Sequence, residues 1–97
     1  KMPVFAVEYV YNDRAYERNE VRPRHREFLR GLLDQGVILA SGPIEGGTGA
    51  LLIMNAADDV AALAHLDPDP FEIGGLIESR SARRWNTVIG PWGHLAD

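Results

Sequence analysis

The chain has 97 residues, no cysteine and a formal net charge of −4. This length predicts a single domain, and the lack of cysteine excludes a disulfide framework, thiol chemistry and cysteine-ligated metal. The arginines are dispersed among acidic residues and no apolar run approaches the ~18–20 residues of a membrane span, so we expect a cytoplasmic protein that binds neither nucleic acid nor membranes.

The chain opens with a predicted strand. Apolar residues alternate from Val4 to Tyr11, which is the two-residue period of a strand with side chains on both faces. Lys1 precedes Met2, so we expect Met2 to be the natural start and Lys1 a remnant of cloning. We therefore expect one domain over residues 2–97.

A helix is expected after the polar segment that follows this strand. It is predicted to begin near Arg22, with Pro23 in its first turn, where a missing N–H costs nothing, and to end at Gly36.

His25 is the most informative residue of this helix. Positions i, i+3, i+4 and i+7 lie on one helical face, and here they hold His25, Phe28, Leu29 and Leu32. A buried imidazole without a hydrogen-bond partner costs roughly 1–3 kcal/mol. Its partner is either a backbone carbonyl, which makes His25 a core residue, or a carboxylate from elsewhere in the chain.

A β-hairpin is predicted next. A short strand over Val37–Ala40, closed by Ser41-Gly42-Pro43, precedes a glycine-rich turn and a second strand over Ala50–Met54. The turn lacks the lysine of a phosphate-binding loop, so it implies no nucleotide.

The remaining segments predict one helix and one strand. Asn55 or Asp58 is expected to cap a helix that ends before Asp67, and its apolar positions are Val60, Leu63 and Ala64. A long strand follows over Leu76–Trp85. Glycine and proline interrupt residues 87–97, which predict no regular element.

This order of elements predicts an α+β fold. Strand, helix, strand, strand, helix, strand is the ferredoxin-like βαββαβ arrangement, an antiparallel sheet with both helices on one face. Because the strands carry apolar residues on both sides, the bare face needs a second cover. We expect a homodimer in which two copies pack sheet to sheet.

Separated motifs follow one another along the chain: Arg22-Pro23-Arg24-His25, Leu39-Ala40-Ser41-Gly42-Pro43, and Asp69-Pro70-Phe71 with Gly74-Gly75-Leu76. Together they resemble the motifs of YciI-like (YCII-related) proteins, a branch of the dimeric α+β barrel superfamily. The resemblance covers about residues 2–86 and leaves residues 87–97 as a C-terminal extension. It implies that His25 and Asp69 form the active-site pair.

The resemblance also implies chemistry without a cofactor. A neutral imidazole accepts a proton near neutral pH, and an adjacent carboxylate fixes its tautomer and stabilises the imidazolium. We therefore predict an enzyme of lyase, isomerase or dehydrochlorinase-like type that acts on a small cyclic or aromatic metabolite. The alternative is a non-catalytic small-molecule-binding or accessory protein of the same fold.

Four further residues are predicted to contact the substrate. Arg22 offers a guanidinium for an anionic group and Ser41 a hydroxyl, while Tyr9 and Phe71 offer aromatic surface. No metal site is expected, because His65 and His94 do not belong to any known pattern of ligand spacing.

Overall fold

The computed structural model describes residues 2–97, and Lys1, the expected remnant of cloning, lies outside them. The helices and strands follow the predicted order, with one additional short helix. They are β1 (Val4–Tyr11), α1 (Ala15–Asp34), β2 (Ile38–Ile44), β3 (Gly49–Asn55), α2 (Asp59–Leu66), α3 (Pro70–Ile73) and β4 (Ile77–Arg84).

The strands form one antiparallel sheet in the order β2-β3-β1-β4. The helices pack on one face of this sheet, which confirms the predicted ferredoxin-like α+β fold. At the centre of that face, Val7 of β1 lies opposite Leu52 of β3, and both side chains are fully buried. Leu32 of α1 and Leu66 of α2 close the same core. Among residues 2–97, no helix is long and apolar enough to cross a bilayer.

Helix α1 begins at Ala15 rather than near Arg22, so the predicted start is wrong. Pro23 lies inside the helix, where it has no N–H to donate to the preceding turn. The added turns are held by a tertiary contact, since buried Arg18 donates a hydrogen bond to the carbonyl of Leu76 at 3.2 Å. The helix ends as predicted, before Gly36, which adopts a φ of 77°.

Strand β2 continues to Ile44, through the residues that were predicted to close it. Pro43 is tolerated because β2 is an edge strand, where a missing N–H need not break a ladder hydrogen bond. A 3-10 turn over Glu45–Gly47 then completes the predicted hairpin. The longer strand brings Ser41 and its neighbours alongside α1.

Helix α2 begins at one of its two predicted caps, since the Asp58 carboxylate accepts a hydrogen bond from a backbone N–H of its first turn at 2.8 Å. Its buried residues are Ala62 and Leu66, whereas Val60 is 73% exposed. Of the predicted apolar positions, Leu63 packs against the core, whereas Val60 and Ala64 are exposed, because a short and mostly apolar helix has no unique apolar stripe.

Residues 87–97 fold back against the end of β4. Trp92 meets Trp85 edge-on with 6.0 Å between ring centroids, and Thr87 Oγ1 donates to the Trp92 carbonyl at 2.6 Å. A 3-10 turn over Gly93–Leu95 is the regular element here. The last residues are thus tied to the end of β4, where Arg84 forms an ion pair with Asp97.

Candidate active site

Asp69 is positioned by the start of helix α3. Pro70 occupies the first turn of the helix, and the Asp69 carboxylate caps it by accepting a hydrogen bond from the Phe71 N–H at 2.9 Å. A capping aspartate followed by proline is a strong local signal for a helix start. The Asp-Pro-Phe motif thereby fixes a carboxylate that is completely buried.

His25 of α1 contacts this carboxylate. Its Nδ1 lies 2.8 Å from Oδ1 and 3.0 Å from Oδ2 of Asp69, which confirms a carboxylate, not a backbone carbonyl, as its partner. Because a carboxylate only accepts, Nδ1 carries the proton of the neutral ring and Nε2 is the basic nitrogen. Nε2 has no hydrogen-bond partner among residues 2–97. One nitrogen is therefore fixed and the other is available to a ligand.

Tyr9 supports the pair from the sheet. Its hydroxyl donates to Asp69 Oδ2 at 2.9 Å. Burial, followed by the charge of the Asp69 carboxylate, raises the pKa of Tyr9 far above its usual range. The side chain is fully buried and is not among the residues that line the cavity beside His25. Tyr9 therefore contacts Asp69, where the sequence predicted a contact with substrate.

Phe71 fixes the plane of the imidazole. The two rings are stacked, with 3.8 Å between their centroids and 3° between their planes. Phe71 is also fully buried and absent from the cavity wall. It too was predicted to touch substrate, and its position instead behind His25 follows from the turn of α3, which points the side chain into the core.

A cavity of about 710 Å³ opens between α1 and the edge strand β2. Three predicted site residues lie on its wall: His25, Arg22 and Ser41. Leu29 and Leu33 supply apolar surface beside them. The volume is in the range of small-molecule sites, which is about 300–1,000 Å³.

Tyr11 also lines this cavity, although it is not among the substrate contacts predicted from the sequence. Burial, and then the Asp69 carboxylate, raises the pKa of Tyr11. Its ring meets Phe71 edge-on at 5.6 Å, and the Arg18 guanidinium lies over it at 4.6 Å. The alternation of β1 could have found it, because Tyr11 shares the inner face with Tyr9.

The turn between α3 and β4 is fastened to the end of β1 and the start of α1. Asn12 donates to the Gly75 carbonyl at 2.8 Å, and Arg14 donates to the Gly74 carbonyl at 3.2 Å. The backbone of the turn accounts for a glycine in the Gly74-Gly75-Leu76 motif, because Gly75 adopts a φ of 66°, which glycine tolerates best. The motif thus helps to hold α3, with Asp69 and Phe71, against α1.

Within residues 2–97 there is no group of three or more metal-ligating side chains that could hold a metal ion. His65 is exposed on α2, and His94 lies in the tail. Neither histidine joins the pair formed by His25 and Asp69.

Comparison with known proteins finds a matching family and similar solved structures. The family described as YCII-related domain matches residues 2–86. The structure is similar to 5-chloro-2-hydroxyhydroquinone dehydrochlorinase (TftG) from Burkholderia phenoliruptrix AC1100 in complex with 2,5-dihydroxybenzoquinone, with a TM-score of 0.73 and 24% identity over 84% of this chain and 92% of that chain. It is also similar to PA3566 from Pseudomonas aeruginosa, with a TM-score of 0.52 and 12% identity over 88% and 93% of the two chains. No curated protein matches the sequence.

Proposed function

Because this chain belongs to the YCII-related domain family, we propose that it is a small cofactor-independent enzyme in which His25 moves a proton on a cyclic or aromatic metabolite. One observation carries the proposal. His25 lines a cavity, its Nδ1 is held by a completely buried carboxylate, and its Nε2 is left without a partner among the described residues. This is the arrangement of a general base whose tautomer has been set.

The proposed reaction starts with proton abstraction. Nε2 takes a proton from a carbon or oxygen atom of the substrate, and the electron pair of the broken bond forms a new double bond. In a lyase reaction a leaving group then departs as an anion and the imidazolium returns its proton to water. In an isomerase reaction the imidazolium protonates a second atom of the same ring. The Asp69 carboxylate stabilises the imidazolium, and positioned acid–base help of this kind supplies about 10²–10⁴-fold in rate.

The polar groups of the cavity wall have supporting roles in this proposal. Arg22 and Ser41 contact the substrate, as we predicted from the sequence, and the Tyr11 hydroxyl donates to a substrate oxygen. Tyr9 and Phe71 act through the pair, as positioning residues, because the contacts of both side chains are with Asp69 and His25.

The similar dehydrochlorinase guides the choice of test compounds. That protein is complexed with 2,5-dihydroxybenzoquinone, a small oxygenated ring. We propose the same class for this cavity, and dehydrochlorination as the first reaction to test.

The experiment offers the purified protein 5-chloro-2-hydroxyhydroquinone, followed by chloride release, and 2,5-dihydroxybenzoquinone, followed by ring-proton exchange in D₂O. We expect turnover of one of them by the wild type and a loss of at least about 100-fold in His25→Asn. Asp69→Asn should lose less, since an amide still holds the ring. His65→Asn is the matched control and should keep the wild-type rate, because His65 is exposed on α2.

Two outcomes contradict the proposal. An unchanged rate in His25→Asn would show that His25 is not the catalytic base. Binding of these rings without any turnover by the folded wild type favours the alternative, a non-catalytic binding or accessory protein.

We also propose that the protein is a homodimer formed through the open face of the sheet. A shallow groove of about 390 Å³ on the face opposite the helices is lined by four apolar residues, Ala6, Leu51, Ile53 and Trp85, and by Arg83 and Arg84. Leu51 is 38% and Trp85 43% exposed. A second copy of the same face covers both apolar surfaces at once, as in a two-fold symmetric interface.

A further inference from the structure

The cavity beside His25 has a charge opposite to that of the whole chain. The chain carries a formal net charge of −4, yet the cavity wall holds three arginines and no aspartate or glutamate. Helix α1 contributes all three, which are Arg22, Arg26 and Arg30. The same helix carries four acidic residues, none of them on the cavity wall: Glu17, Glu20, Glu27 and Asp34.

The three arginines form a ladder along one face of α1. A spacing of four residues places each guanidinium stem about 6 Å further along the axis on nearly the same side. The next stripe, also at four-residue spacing, holds His25, Leu29 and Leu33. The cavity therefore has a cationic wall and an apolar wall that run in parallel, with the imidazole near one end.

None of these guanidinium groups is paired with a carboxylate among residues 2–97. Arg22 donates to the neutral side chain of Asn19 and lies 5.8 Å above the Phe71 ring. By contrast, Arg80 of β4, the edge strand opposite β2, forms ion pairs with Asp67 and Glu72 at 3.0 Å. Among the described residues, no carboxylate within ion-pair distance therefore competes with a ligand for these guanidinium groups, of which those of Arg26 and Arg30 are exposed.

We infer that the substrate is a ring compound that carries an anionic oxygen group, a carboxylate or a phenolate, on the side away from the reacting atom. The inference rests on the proposed function and names its substrate class. Arg26 and Arg30 bind the anionic group with charge-assisted hydrogen bonds, while the ring lies on Leu29 and Leu33. Arg30 is about 7.5 Å along the helix axis from His25, so the ring spans the distance between the anion and the base.

The test uses a matched pair of probes, 4-hydroxybenzoate and 4-hydroxybenzamide. They share one ring and one hydroxyl and differ in a single charge. Binding is measured by calorimetry and by backbone amide shifts in NMR. We expect the carboxylate to bind at least about tenfold more tightly than the amide, since one charge-assisted contact is worth about a factor of ten. High salt should weaken the binding of the carboxylate and leave the binding of the amide unchanged.

Variants locate the effect. Arg26→Gln and Arg30→Gln should each weaken 4-hydroxybenzoate about three- to tenfold while leaving the amide unaffected. Arg24→Gln is the matched control, because Arg24 is exposed on the same helix and does not line the cavity. It should bind both probes as the wild type does. Circular dichroism verifies that each variant is folded.

Three results overturn the inference. They are equal affinities for the two probes, no detectable binding of the carboxylate at a concentration of about 10 mM, and a loss of affinity in Arg24→Gln as large as the loss in Arg26→Gln or Arg30→Gln. The His25→Asn variant separates this inference from the proposed function. It should keep the preference for the carboxylate, because binding needs no base. A charge preference without proton transfer contradicts the proposed function alone, and turnover without a charge preference contradicts this inference alone.

Discussion

Asp69 has three roles at the residue scale. Its carboxylate caps α3 by accepting a hydrogen bond from the Phe71 N–H. It also accepts hydrogen bonds from the Tyr9 hydroxyl and from Nδ1 of His25. Each donor is buried, so the removal of this acceptor leaves polar groups without partners in the core. The same residue therefore determines local folding, the stability of the core and the orientation of the proposed base.

The first prediction concerns Asp69→Ala. We expect the free energy of unfolding to fall by about 3–5 kcal/mol, because the Tyr9 hydroxyl and the His25 N–H lose their acceptor inside the core. Asp58→Ala is the control, since Asp58 caps α2 from an exposed position and its loss should cost about 1 kcal/mol. Urea unfolding followed by circular dichroism measures both, and equal losses in the two variants would count against a buried network.

The second prediction concerns Tyr9 and pH. Burial and Asp69 raise the pKa of Tyr9 in the folded state, while in the unfolded chain a tyrosine ionises near pH 10. The folded state thus keeps a proton that the unfolded state loses. The contribution of Tyr9 to stability is complete below about pH 10 and is lost as the pH rises above it.

Tyr9→Phe should therefore lower the free energy of unfolding by about 2 kcal/mol at pH 7, through loss of a hydrogen bond to a charged acceptor. It should also reduce the further loss between pH 9 and pH 11. Tyr16→Phe, a control at a site that is 75% exposed, should match the wild type at pH 7. Urea midpoints across this range decide the matter, and identical alkaline slopes in wild type and Tyr9→Phe would be the contrary result.

At the element scale, the close approach of β3 to β1 holds Tyr9 in place. A Cβ at Gly49 would lie 2.2 Å from the Tyr9 backbone carbonyl oxygen, a distance at which the backbone must shift. The strand that carries Tyr9 depends in this way on a residue of the hairpin without a side chain.

The third prediction is that Gly49→Ala lowers the free energy of unfolding by about 1–3 kcal/mol, the usual range for a forced backbone shift. Gly42→Ala on the neighbouring strand is the control, because a Cβ there meets no atom within 4 Å. Thermal unfolding of the two variants makes the comparison. A Gly49→Ala variant as stable as Gly42→Ala would show that β1 and β3 lie further apart.

Helix α1 shows where local rules are insufficient at this scale. Pro23 indicates a helix start, and yet the helix begins at Ala15. Arg18 compensates, since it is buried and donates hydrogen bonds to the Asn12 side chain and to the carbonyl of Leu76, 58 residues further along the chain. These contacts exist only after the sheet has formed, so a reading of local sequence cannot include them.

At the scale of the whole molecule, the two faces of the sheet differ in how far they are covered. The inner face is covered by helices, and the outer face leaves Leu51 and Trp85 partly exposed. We propose that residues 2–97 form one domain, with a family-like core over residues 2–86 and an extension in which Trp92 contacts Trp85.

The fourth prediction concerns assembly. We expect light scattering to find a dimer, and Leu51→Glu to convert it to a monomer, because two carboxylates would be buried in the proposed interface. Val60→Glu is the control. Val60 is 73% exposed on α2, on the opposite side of the sheet, and its variant should remain a dimer. A monomeric wild type, or a dimeric Leu51→Glu, is incompatible with the proposed interface.

Much of this molecule could be predicted from sequence because the signals are local. Alternation located β1, glycines located the hairpin turn, and the order of elements indicated the ferredoxin-like fold. The position of His25 on an apolar helix face indicated that it needs a partner, and the resemblance to YciI-like proteins identified that partner as Asp69, which lies 2.8 Å away.

The tertiary structure alone decided which groups face the cavity and which lie behind it. Tyr9 and Phe71 are strand and helix residues that local patterns cannot assign to core or cavity, because their burial depends on how α1 and α3 cross the sheet. Arg26 and Arg30 resemble ordinary solvated arginines in the sequence. They line a cavity only because β2, which is separated from them along the chain, lies opposite α1. The charge of that cavity, unlike the position of each element, is a property of residues that folding brings together.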